Sequence, residues 1–228
     1  NGPFSGAVNF LLPLLGFVAT FTIFFGNLAA CAQRNLKRML GLSGVAHAGY
    51  LLVAIMASMV FPGDSDRAVW VLFFYMFVYS VASFSVFAVM SLADLPDDNE
   101  HEFSDYESLA RKHPLLGFAI VCGIGSLAGI PPFAGFIAKL LLVSIAFEAG
   151  LYLSLAAMVV GVVISIYYYF GWIREITFHP RPVFNDDEPK KDPWSKLSET
   201  GLIKVVLVTL TVVSLILGIW QGPFGDTF

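Results

Sequence analysis

The amino-acid sequence predicts an all-α polytopic membrane protein, and three observations carry that prediction. Hydrophobic residues make up 57% of the 228 residues, charged residues only 13%, and there are 22 Phe, with a mean hydropathy of +0.76. These apolar residues fall in long runs and are too many for one soluble core. One run, residues 115–147, contains Pro131, Pro132 and a single charged side chain, Lys139, and it exceeds the roughly 20 residues that span a bilayer's hydrocarbon core.

Taken in order, the first span covers about 7–32. Its Pro13, Gly16 and Gly26 are tolerable in a membrane helix whose neighbours cover the backbone. A short basic turn containing Arg34, Lys37 and Arg38 leads to the second span, about 39–61, which carries Ser43, His47 and Tyr50. The third span, about 68–92, places Tyr75, Tyr79 and Ser83 at i, i+4 and i+8, hence on one helical face. Such a hydroxyl ladder either glues helices together or lines a hydrated path.

Between 94 and 113 the chain leaves the membrane, with seven acids ahead of Arg111 and Lys112. Ser104 and Glu107 have capping-box spacing, so a surface helix is expected over about 104–113, and Pro114 suits the first turn of the next helix. The fifth span, about 151–176, ends in Tyr167, Tyr168, Tyr169, Phe170 and Trp172 followed by Arg174, which reads as an interfacial aromatic belt with a basic anchor. Residues 178–199 hold four prolines among charges and read as a solvated strap. A last span at about 202–221 makes six, in a single membrane domain over 1–228.

The fourth span, 115–147, organises the rest. Pro131 and Pro132 lack backbone N–H groups and clash with a preceding turn, so the helix should break near 129–132, with Gly129 and Gly135 beside the break. Unwound backbone survives at membrane depth only where protein or water satisfies it. A lysine there costs about 2.5–3.5 kcal/mol on insertion scales and so faces inward. A packing kink with Lys139 snorkelling to an interface is the other reading of the same residues. His47, near the middle of its span, either bonds a neighbouring carbonyl or passes protons. Desolvation disfavours the charged form of a lysine, which suits Lys139, with His47 and Lys37, to a proton relay.

Positive charges are lopsided. If the spans alternate, eleven Lys and Arg residues, Arg34 and Arg174 among them, flank one side, and only Arg67 flanks the other. The positive-inside rule then puts both termini on the opposite, periplasmic or intermembrane-space side. Cys31 and Cys122 stand alone in separate runs and read as two buried thiols. There is no G-x-G-x-x-G after a strand, no P-loop, no H-E-x-x-H and no supported Ser/His/Asp set. No cofactor, metal or nucleic-acid site is therefore expected in this chain, and lipids are its expected surroundings.

Residues 34–50, RNLKRMLGLSGVAHAGY, resemble the N-x-K-R-x-L-x-x-S-x-x-x-H-x-G-Y segment of the antiporter-like subunits of respiratory complex I, closest to subunit N, or subunit 2 in mitochondria. Residues 127–139, LAGIPPFAGFIAK, resemble that family's L-A-G-I-P-x-x-x-G-F-I-x-K. The Tyr-rich end of the fifth span and residues 104–114 resemble further segments in the same order.

The resemblance implies a broken helix whose Lys139 ends a row of protonatable residues, with Lys37 and His47 on the same hydrated axis and Tyr50, Tyr75, Tyr79 and Ser83 as path-lining candidates. It implies a non-redox subunit of NADH:ubiquinone reductase. Other complex I membrane subunits are then its partners, and NADH, FMN, iron–sulfur clusters and quinone are held elsewhere in the assembly. Gly44 departs from the family, which often has serine there. Length departs more: the second repeat and last helix are present, and the first repeat is not. A start without Met fits an imported half of a split subunit in the mitochondrial inner membrane, with a bacterial cytoplasmic membrane and a fragment as the other readings. A subunit of a multisubunit sodium/proton antiporter and a scaffold without its own proton path are the competing functions.

Overall fold

The computed structural model describes residues 5–60, 65–93, 101–107, 109–178, 194 and 201–219. It contains α1 (Ser5–Cys31), α2 (Leu36–Val60), α3 (Ser65–Met90), α4 (Leu109–Lys112), α5 (Pro114–Ala128), α6 (Ala134–Glu148), α7 (Tyr152–Phe178) and α8 (Gly201–Ile219). Among the described residues there is no strand, only an isolated bridge pairing Asn35 with Glu102. Five helices, α1, α2, α3, α7 and α8, are long and apolar enough to cross a membrane. Both α5 and α6 have 15 residues, about 22 Å each at helical rise, so neither alone spans the roughly 30 Å hydrocarbon core.

The helices pack because small residues let backbones approach. On the α1–α2 seam a Cβ built on Gly26 would lie 2.5 Å from the Ala46 nitrogen, and one on Gly49 would meet Ile23 at 2.7 Å, the small-residue contact that membrane helices favour. Helix α3 packs on α2, α5, α6 and α8, while α7 packs on α1 and α5. The buried residues form two clusters. One gathers α5 with the inner faces of α3 and α7 and includes Leu116, Ile120, Ile124 and Trp172. The other gathers α6 with parts of α1, α2 and α3 and includes Ile23, Val53, Leu142 and Ile145. The interruption between α5 and α6 therefore falls where one core gives way to the other.

The segment before α5 differs from the expected surface helix. It folds as a 3₁₀ turn, Phe103–Tyr106, followed by the single turn of α4. The Glu102 N–H donates to the Asp105 carboxylate at 2.8 Å, so the capping contact falls earlier than Ser104 and Glu107 predict, and Glu107 ends the turn with extended backbone. Tyr106 is fully buried against Trp172 and Trp194, and its hydroxyl bonds His101 Nδ1 at 2.7 Å. Burial pushes that hydroxyl well above the usual tyrosine range, and Asp105 adds to the effect. Cys122 is buried as expected, but Cys31, the last residue of α1, is exposed where it lines the concavity between the ends of α1 and α7. The strap at 178–199 lies outside the described residues except for Phe178 and Trp194.

Candidate functional site

The site is built at the end of α5. A helix ending at Ala128 leaves the carbonyls of residues 125–128 without intrahelical partners. Gly129 takes the left-handed conformation, φ 78° and ψ 48°, which a glycine adopts without steric cost. Its N–H reaches Ser126 O at 3.0 Å and Gly125 O at 3.1 Å, and the Ile130 N–H reaches Gly125 O at 3.0 Å. This pairing satisfies the first two carbonyls. Lys139 satisfies the other two: its Nζ donates to Leu127 O and Ala128 O, each at 2.8 Å.

The chain then turns through Pro131 and Pro132, both exposed, and re-enters helix at Ala134. The Gly135 N–H donates to Ser126 Oγ at 3.1 Å. A Cβ on Gly135 would lie 1.7 Å from the Ser126 carbonyl oxygen, so only glycine lets α5 and α6 meet this closely. Lys139 sits on the second turn of α6, buried with 6% exposure, and points its ammonium back at the negative end of α5.

Aromatic residues from α2 and α3 close the other side. Nζ lies 5.8 Å from the centroid of the Tyr50 ring, within cation–π range. The His47 and Tyr50 rings stand edge to face at 5.7 Å. Tyr75 Oη bonds His47 Nδ1 at 2.7 Å, and the Tyr79 ring lies 4.6 Å from the His47 ring. A void of about 10 Å³ touches His47, Tyr75, Tyr79, Ser126, Gly135 and Lys139, about the space of one water molecule.

Of the residues singled out in the sequence, Lys139, His47, Tyr50, Tyr75 and Tyr79 thus come together, with Gly129 and Gly135 shaping the break. Lys37 does not join them: it stands in the first turn of α2, ten residues and about 15 Å along the axis from His47. Ser83 is half-buried on α3 and does not line the void, although its neighbour Ala82 does. At Gly44, a Cβ would lie 3.0 Å from Tyr79 Oη, so the departure from serine gives that hydroxyl room.

A second buried network lay outside the sequence reading. Tyr168 Oη donates to Asn27 Oδ1 at 3.2 Å and pairs with Ser43 Oγ at 3.2 Å, Ser43 Oγ bonds Tyr169 Oη at 2.7 Å, and Asn27 Nδ2 reaches Tyr50 Oη at 3.4 Å. Tyr50 therefore joins the two networks. Tyr167 is exposed as a belt residue should be, whereas Tyr168 and Tyr169 turn inward. Asn27, an amide deep inside the apolar first run, was the available signal.

Residues 2–165 match the family model described as "NADH:quinone oxidoreductase/Mrp antiporter, TM". The chain is 45% identical over 217 residues to NADH-quinone oxidoreductase subunit N 1 of Opitutus terrae, covering 93% of this chain and 41% of that protein. It is 34% identical over 224 residues to the subunit N of Heliobacterium modesticaldum, covering 98% and 44%. A chain of respiratory complex I from Thermus thermophilus superposes with a TM-score of 0.72 at 31% identity, covering 92% of this chain and 44% of that one. A chain of the Mrp complex from Dietzia sp. superposes with a TM-score of 0.74 at 20% identity, covering 97% and 46%, a likeness of fold. The chain spans less than half the length of the curated relatives it matches.

Proposed function

The chain belongs to the NADH:quinone oxidoreductase/Mrp antiporter membrane family, and from that premise we propose that it serves as the C-terminal, proton-translocating portion of a subunit N. The observation that carries the proposal is the double bond from Lys139 Nζ to the carbonyls of Leu127 and Ala128. Two carbonyls, a helix's negative end and the Tyr50 face stabilise the ammonium, while burial opposes it. The balance between charged and neutral lysine then responds to a charge arriving nearby. One water in the adjoining void would link Lys139 to His47, and Tyr75 would hold the imidazole in place.

In this reading α5, the proline turn and α6 form one interrupted crossing, the fourth of six, in a single membrane domain. The basic flank faces the inner compartment and both ends of the chain face the outer one. The membrane is an energy-transducing one. The relatives named above are bacterial, which favours the bacterial cytoplasmic membrane over the mitochondrial inner membrane. The chain performs no redox chemistry and holds no cofactor. NADH, FMN, iron–sulfur clusters and quinone reside in partner subunits, and the remaining length of the relatives, on this polypeptide or another, would complete the proton path. Lys37 serves as an outlying relay member near the inner surface.

The test replaces Lys139 by Ala in the assembled, membrane-bound complex. The proposal expects intact assembly with proton translocation lost, and retained translocation would overturn it. Sodium-dependent proton exchange with no associated NADH oxidation would instead place the chain in an Mrp-type antiporter.

A further inference from the structure

Outside the lysine site, two concavities line the same face of α7. The first, about 640 Å³, lies between the end of α1 and the end of α7 and is lined by Gln33, Arg34, Phe170, Arg174 and Phe178 among others. The second, about 410 Å³, lies between α6 and α7 and is walled by Pro131, Leu140, Val159 and Val163. Ile166 and Phe170 line both, so the two form one groove. Along it Val159, Val163, Ile166 and Phe170 recur at i, i+4, i+7 and i+11, a single helical stripe.

The groove carries exposed charge at one end only. Arg34 and Arg174 are exposed, and among the described residues neither is paired with a carboxylate; Glu175, next in sequence, is buried. From Phe170 down to Val159 is eleven residues, about 16 Å, close to the roughly 15 Å hydrocarbon depth of one leaflet. The deep end closes on Pro131, at the interruption between α5 and α6.

We propose that this groove holds one anionic phospholipid, its phosphate on Arg34 and Arg174 and an acyl chain along Val159, Val163, Ile166 and Phe170 as far as the proline turn. Basic pockets between membrane helices recognise anionic headgroups in this way. The apolar wall gives the chain a surface that lipid can fill to the depth of one leaflet. Because Lys139 also lines the deep end, the acyl chain would keep the lipid side of the lysine site dry. The proposal rests on the chain's being a membrane subunit and not on its carrying protons.

The experiment isolates the assembled complex in mild detergent, strips loosely held lipid, and measures by native mass spectrometry the retention of cardiolipin, phosphatidylglycerol and phosphatidylcholine. The variants are Arg34→Gln with Arg174→Gln, Val163→Trp within the groove, and Leu153→Trp, exposed on α7 but outside it. Removing both arginines is expected to lower anionic-lipid affinity roughly 30-fold, the loss of two basic contacts. Val163→Trp is expected to lower retention by blocking the chain, and Leu153→Trp to leave it unchanged. Equal retention of anionic lipid in all forms would overturn the proposal. So would a photo-crosslinker at Phe170 that captures polypeptide and no lipid. Since the readout is bound lipid, a failure here leaves the lysine's role standing, and the converse holds.

Discussion

Gly129 and Lys139 share one volume: a Cβ built on Gly129 would lie 2.7 Å from Cδ and 3.3 Å from Nζ of Lys139. The glycine that ends α5 therefore does two things. Its left-handed backbone releases the carbonyls of Leu127 and Ala128 from any helical partner, and its missing side chain is the space through which the lysine reaches them.

Gly129→Ala tests that coupling. Alanine in the left-handed region costs about 1–2 kcal/mol, and its methyl displaces the lysine stem. The variant should assemble with lowered thermal stability and lose most proton translocation although Lys139 is intact. Pumping at the wild-type ratio of protons to NADH oxidised would show that the lysine's exact seat does not matter.

Tyr75→Phe removes the partner of His47 Nδ1. A buried group left unsatisfied costs about 1–3 kcal/mol, so the melting temperature of the isolated complex should fall. Proton translocation should slow without vanishing, because the Tyr75 hydroxyl positions the imidazole and Lys139 remains. Complete loss of translocation would make that hydroxyl a relay member itself.

Asn27→Ala and Tyr168→Phe break the same contact from its two ends. A double-mutant cycle on thermal stability should show positive coupling of about 0.5–3 kcal/mol, as for residues in one buried network. Additive effects would mean that the two side chains act separately and that α1 and α7 are held by apolar packing alone.

Arg67→Gln serves as the contrasting case. Arg67 joins α3 to the end of α6 through two bonds to Glu148, at 2.9 and 3.2 Å, with the glutamate side chain 41% exposed. An exposed pair contributes about 0.2–1 kcal/mol and is screened by salt, so the variant should lose little stability at low salt and none at high salt. Proton translocation should be unchanged.

How far the site could be read in the sequence follows from what kind of signal each residue carries. Lys139, Pro131 and Pro132 are conspicuous because membrane interiors tolerate charge and broken backbone only for a reason, and one helix ends at Ala128 while another begins at Ala134. Tyr75 and Tyr79 were legible from helical spacing. Ser83 was not separable from them, because periodicity gives a face but not which of two adjacent residues, Ala82 or Ser83, borders the void. Tyr168 and Tyr169 were misassigned for the opposite reason: aromatic composition at a span's end signals an interface, while rotation about the helix decides which rings turn inward. The capping of residues 102–106 escaped because a 3₁₀ turn has no sequence period of its own.

The proposed function requires Lys139 to gain and lose a proton, and Lys139→Arg removes that ability while keeping the charge. Arginine keeps the positive charge and can still donate to the carbonyls of Leu127 and Ala128, but it does not release its proton in a protein. Proton translocation per NADH oxidised would be measured in vesicles holding the assembled complex, with assembly verified on the same sample. The predicted result is a fully assembled complex whose proton translocation is lost. Assembly together with wild-type translocation would contradict the claim and leave Lys139 as a fixed charge that caps α5.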